Sequence, residues 1–323
     1  MRAFVTGATG FIGSRLARQL LDKGWDVTVL ARAPERAQTL ADAGARVAIG
    51  DITDPSSLAA SIPAHDAVFH LAAWYAIGVR DAERMEQINV GGTVNVLDAA
   101  ASAGIPRIVY CSTIAALGSV APGAISDESD VHEGSFGSNY ERTKLRAHQI
   151  AAERAANSAP IVTVMPGATY GPGDESMVGV LLNLYAKGLL VACPFQETGL
   201  SWVHVEDVAN GMILAFEKGE PGEGYVLGGD NETIGGVFAR IKPLTGRRVP
   251  VKMPNWLVKA GLPLGPLIAR MLKQEPDLLK EGLTSLNGSW MYSSKKAEAG
   301  LGYRFRSIEE GIPPLVAAVR AKN

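Results

Sequence analysis

In the stretch SNYERTKLRAH (138–148), a phenol at Tyr140 and an ammonium at Lys144 stand four residues apart. On a helix that spacing puts both side chains on one face. A cation beside a phenol lowers its pKa, so the pair can deliver a proton to a carbonyl oxygen and recover it. Tyr and Lys also decorate solvated helix faces without any chemical role, so the pair gains meaning only from what the rest of the chain supplies.

The first supply is a glycine loop. In TGATGFIG (6–13), Gly7, Gly10 and Gly13 fall between a strand-like AFVTG and the helical run SRLARQLLDKG (14–24). Glycines there permit a tight turn and let backbone N–H groups and a helix N-terminus face a pyrophosphate, so Gly7, Thr9, Gly10, Phe11, Ile12 and Gly13 are expected to hold a dinucleotide. The second is the end of the next strand, VLARAPER (29–36), where Ala31 occupies the place of the usual ribose-binding carboxylate and Arg32 follows. An arginine there pairs with a 2′-phosphate, which favours NADP(H) and leaves NAD(H) possible.

These groups need a scaffold, and the chain alternates short apolar runs with amphipathic ones. DVTVLAR, ARVAIGD, AVFHLAA, RIVYCST and IVTVMPG read as strands, separated by helical stretches such as NVGGTVNVLDAAASAG (89–104). Continuous apolar strands between amphipathic helices predict an α/β fold, a Rossmann-type doubly wound parallel sheet covered on both faces. Beyond Pro166 the rhythm becomes irregular. The expected division is a dinucleotide-binding domain over 1–173, joined by 201–229, and a smaller, mostly helical substrate lobe over 174–200 and 230–323. The apolar WLVKAGLPLGPLIARML (256–272) is expected to pack into that lobe as a helix broken by its prolines.

With 31 basic and 33 acidic residues in 323, the net charge of −2 offers no basic field for nucleic acid. Two distant cysteines, Cys111 and Cys193, suit neither a disulfide framework nor a metal site and fit a reducing cytoplasm. Glycines and threonines interrupt the N-terminal apolar run, and no stretch is continuous enough to expect a membrane span. His70 and His148 are expected to be packed or solvated rather than metal ligands.

The motifs TGATGFIG, GDITD, HLAA, NVGGT, YCSTIAALG, YERTK, YGPGD and VHVEDVA occur in the order found in extended short-chain dehydrogenases/reductases of the NAD-dependent epimerase/dehydratase superfamily, and the chain resembles that family, dihydroflavonol reductases in particular, over nearly its whole length. The resemblance implies that Asp51 and Ile52 flank the adenine and that Leu71, Ala72 and Ala73 line the middle of the cofactor. It also implies that Asn89 supports the active-site geometry, that Pro166 lies near the nicotinamide and that Lys144 also bonds the nicotinamide ribose. Thr113 matches the hydroxyl that holds the substrate oxygen, ahead of Ser112. Tyr140, Lys144, Thr113 and Asn89 are thus the expected catalytic set, and the resemblance implies a homodimer formed through the NVGGT and YERTK helices.

Two activities compete at this level. One is NADPH-dependent reduction of a small or hydrophobic aldehyde or ketone. The other is nucleotide-sugar epimerisation or dehydration on bound NAD. STIA (112–115) lacks an acidic pair after Thr113, VMPGATYGPGD (164–174) lacks an asparagine, and Ala31–Arg32 suits NADP, so the sequence favours the reductase. A nucleotide sensor without chemistry is disfavoured by the intact Thr113, Tyr140 and Lys144.

Overall fold

A computed structural model describes residues 1–271, 277, 281 and 288–321. Its strands, in chain order, are β1 (Arg2–Thr6), β2 (Asp26–Ala31), β3 (Arg46–Ile49), β4 (Ala67–His70), β5 (Ile108–Cys111), β6 (Ile161–Pro166), β7 (Ala168–Tyr170), β8 (Ala192–Cys193), β9 (Gly199–His204), β10 (Gly224–Leu227), β11 (Asp230–Thr233) and β12 (Val251–Lys252). Seven of them form one parallel sheet in the order β10-β6-β5-β4-β1-β2-β3. Every residue of β4, β5 and β6 is buried, as expected of parallel strands covered on both faces. One face packs against the helices Phe11–Asp22 and Val205–Lys218, the other against Gly92–Ser102 and Asn139–Ala156.

The strand order fixes where a ligand goes. The chain runs outward from β1 to β2 and β3, then returns to β4 on the other side of β1, so a crevice opens above the carboxyl ends of β1 and β4. Thr6, His70, Cys111 and Pro166 are the last residues of β1, β4, β5 and β6, and the segments following them enter this crevice.

A second sheet, β11-β9-β7, and the pair β12-β8 belong to the far side of the crevice, where the helices Met177–Lys187, Ile234–Thr245 and Ile308–Ala321 enclose a separate core. Strand β10 joins the large sheet, whereas β9 pairs with β7 and β11.

The apolar run after residue 255 differs from expectation. It forms two short helices, Asn255–Gly261 and Gly265–Met271, joined by a 3₁₀ turn at Leu262–Leu264, and Trp256, Leu257, Leu264 and Leu267 are exposed rather than packed. Pro263 and Gly265 interrupt the periodicity that would have aligned these side chains on one inward stripe. The last residue of the run, Leu272, lies outside the described residues.

Candidate active site

The glycine loop meets its structural requirements. Gly7 has φ +75° and sits against the segment leaving β4, where a Cβ would lie 2.6 Å from the Ala72 backbone nitrogen. A Cβ on Gly13 would lie 2.2 Å from the Gly7 carbonyl oxygen. The two glycines therefore let strand, turn and helix start approach closely. Gly10 is the N-cap of helix Phe11–Asp22 and has no side-chain cap, so the first N–H groups of that helix face the crevice.

The cleft is lined from end to end by the predicted residues. Gly7, Thr9, Gly10, Phe11, Ile12 and Gly13 lie beside Arg32, Asp51 and Ile52, followed by Leu71, Ala72 and Ala73, then Thr113, Tyr140, Lys144 and Pro166. At one end Arg32 Nη1 is 3.9 Å from Asp51 Oδ2, and both side chains are substantially exposed. Asp51 Oδ1 accepts from the Thr53 N–H at 2.9 Å, which holds the carboxylate in place. Ile52 is buried against Gly92, where a side chain on the glycine would collide with it.

At the other end, Ser138 caps the helix Asn139–Ala156 by accepting from the Glu141 N–H. The first turn places Tyr140 at the cleft, and Lys144 lies one turn on, buried, with Nζ donating to the Cys111 carbonyl at 2.9 Å and standing 5.1 Å from the Tyr110 ring centre. Burial pulls the Lys144 amine down to about 8, with Cys111 opposing. Burial raises the Tyr140 phenol well above its ordinary value, Tyr75, Cys111 and Tyr110 adding to the rise while a hydrogen bond with Thr113 works against it. The Lys144 ammonium is directed to the end of β5, where the Cys111 carbonyl accepts from it. Thr113 also accepts from Ala115 N–H at 3.2 Å as N-cap of a 3₁₀ turn, which fixes its hydroxyl.

Asn89 is buried and does not line the cleft. It sits in a π-helical turn, Gln87–Gly91, and accepts from Trp74 N–H at 2.6 Å while donating to Trp74 O at 3.2 Å and to Thr143 Oγ1 at 3.0 Å. It ties the segment after β4 to the Tyr140 helix. Ser112 points elsewhere than Thr113, with Oγ 2.9 Å from His148 Nδ1. His70 is held between Thr6 and Thr93 at 2.8 and 3.0 Å, and burial pulls it down to about 3, so it is a neutral core residue.

Several cleft residues carry no motif that sequence reasoning singled out. Tyr75 places its ring edge-on to Tyr140, 4.9 Å between centres. Arg84 lies over Trp74. Arg15 donates to Pro172 O at 2.7 Å and faces Glu206 at 3.2 Å, which seats the YGPGD loop on the helix that follows the glycines. The aromatic pair directly after HLAA was the one available signal.

Residues 3–228 match the model of a family described as the NAD dependent epimerase/dehydratase family. A protein of Synechocystis sp. with the provisional name dihydroflavonol 4-reductase is 32% identical over 97% of this chain and 93% of its own. A 3 beta-hydroxysteroid dehydrogenase/Delta 5-->4-isomerase of Mycobacterium tuberculosis is 32% identical over 77% and 70% of the two chains. Among solved structures, that of gox2253 superposes with a TM-score of 0.83 at 34% identity, covering 99% of this chain and 98% of the other.

Proposed function

We propose, from the premise that the chain belongs to the NAD-dependent epimerase/dehydratase family, that it is an NADPH-dependent reductase of a hydrophobic aldehyde or ketone. The observation that carries this reading is the convergence of Thr113, Tyr140 and Lys144 on one end of a cleft whose other end holds the glycine loop and Arg32. The residues fit a nicotinamide dinucleotide. The close approach of strand, turn and helix that Gly7 and Gly13 allow sets the uncapped helix start at the crevice where a pyrophosphate would sit, and Arg32 is placed for a 2′-phosphate.

When bound, the cofactor supplies a hydride. The chain's own residues do the rest: the Thr113 hydroxyl holds the substrate oxygen, the Tyr140 phenol delivers the proton, and Thr113 stabilises the phenolate left behind. Lys144, a buried amine pulled down to about 8 and one turn along the same helix face, is the cation that would bond the nicotinamide ribose beside the phenol. Asn89 holds Trp74 and the tyrosine helix in register. The apolar walls contributed by Trp74, Tyr75, Ile114, Met177, Leu200 and Trp290 support a hydrophobic substrate. Association into a homodimer through the Gly92–Ser102 and Asn139–Ala156 helices is part of the same reading.

The test is a panel of aldehydes, ketones and nucleotide sugars assayed by NADPH absorbance with product analysis. Net NADPH consumption with a carbonyl compound supports the proposal. Interconversion of nucleotide sugars on tightly held NAD, without net consumption, would replace it with the epimerase reading.

A further inference from the structure

We propose that Arg84 is a specificity-determining residue that receives an acidic group, a carboxylate or phosphate, at the end of the substrate remote from the carbonyl. This rests on the reductase reading of the same cleft. Four cationic side chains line it: Arg15, Arg32, Arg84 and Lys144. Three are engaged. Arg15 is tied to Pro172 O and Glu206, Arg32 lies beside Asp51, and Lys144 donates to Cys111 O. Arg84 has no carboxylate against its guanidinium among the described residues, and the nearby Asp81 is used instead to cap its backbone N–H at 3.0 Å.

The guanidinium is nevertheless held in place. Its carbon stands 5.7 Å from the Trp74 ring centre, and the cation–aromatic contact leaves the N–H edge of the fork available to an anion. The Trp74 backbone, from which the indole under Arg84 projects, is fixed by the paired hydrogen bonds with Asn89. The next residue, Tyr75, lies against Tyr140. The anion receptor and the proton donor therefore share one wall, separated by two aromatic side chains, while Arg32 and Asp51 serve the glycine-loop side. A substrate matching this order has a carbonyl at Tyr140, an apolar middle along Tyr75 and Trp74, and an acidic end at Arg84.

The experiment uses a series of oxo acids of increasing chain length, their methyl esters and the corresponding oxoalkyl phosphates. The expected result is that the wild-type protein prefers one acid over its ester by about tenfold in kcat/KM, as a charge-assisted pair in a partly screened cleft implies. Arg84→Gln should collapse that preference through the acid's KM, and Arg84→Lys should restore part of it. Equal use of acids and esters by the wild type, equal loss on both in Arg84→Gln, or a loss located in the NADPH Kd would each overturn the assignment. Calorimetric titration of the same compounds into NADP-saturated protein separates the two readings. Acid-selective binding that vanishes in Arg84→Gln, with no compound reduced, keeps the anion site and sinks the reductase. Reduction without acid selectivity does the reverse.

Discussion

Asn89 and Trp74 are joined by two hydrogen bonds, the carboxamide oxygen accepting from the Trp74 N–H at 2.6 Å and its nitrogen donating to the Trp74 carbonyl at 3.2 Å. A side chain in this position satisfies the backbone of a segment that has left its strand, and it does so from a helix whose own register is locally irregular. Asn89→Ala leaves the Trp74 N–H without its partner. A buried group so stranded costs about 1–3 kcal/mol. Differential scanning calorimetry should show a lowered Tm, with kcat falling more than NADPH affinity, because the segment serves the tyrosine end of the cleft.

Tyr140→Phe removes the phenolic proton and little else. Turnover should drop by roughly 10²–10⁴-fold, the usual contribution of a positioned acid. A fluorescence titration should find NADPH binding retained. Turnover near the wild-type value would reassign the proton donor.

Arg32 and Asp51 face one another 3.9 Å apart, so a 2′-phosphate and Asp51 compete for the same guanidinium. Arg32→Ala should narrow the ratio of NADH to NADPH dissociation constants. Asp51→Asn should widen it by removing the carboxylate that repels the phosphate. Identical ratios in all three proteins would leave Arg32 a surface charge.

Gly13→Ala places a methyl group 2.2 Å from the Gly7 carbonyl oxygen, and both are backbone-fixed. The turn must open, so NADPH affinity and Tm should fall together. A variant that binds NADPH normally would show that the loop does not need the close approach.

Burial sets the Lys144 amine near 8, below its ordinary value of 10.5. Between these values the folded chain binds fewer protons than the unfolded one, so this group makes stability rise with pH, and the cost of the buried cation is fully present below the window. Lys144→Met should therefore raise the Tm of the cofactor-free protein most at pH 7, with the gain shrinking toward pH 10.5, while weakening NADPH binding. A gain independent of pH would place the cause in packing rather than in charge.

Much of this protein is written locally. Glycines at 7, 10 and 13 between a strand and a helix specify a dinucleotide-type turn, and at 7 and 13 a side chain would collide with neighbouring backbone. The continuous apolar runs at 67–70, 108–111 and 161–166 specify buried parallel strands, and the spacing of Tyr140 and Lys144 specifies one helix face. What the sequence could not determine were relationships between segments far apart in the chain. The family resemblance already put Thr113 ahead of Ser112, but only the fold gives the two hydroxyls their partners, Thr113 capping a 3₁₀ turn and Ser112 meeting His148. The Lys144 ammonium shares a helix face with Tyr140, and its hydrogen-bond partner is the end of β5, where the Cys111 carbonyl accepts at 2.9 Å from a buried cation. Tyr75 and Arg84 belong to no motif, and the fold brings them to the cleft beside the segment that Asn89 clamps. Local pattern encodes backbone conformation and burial, whereas the direction of a charge or hydroxyl is set by whichever partner folding brings within hydrogen-bonding distance.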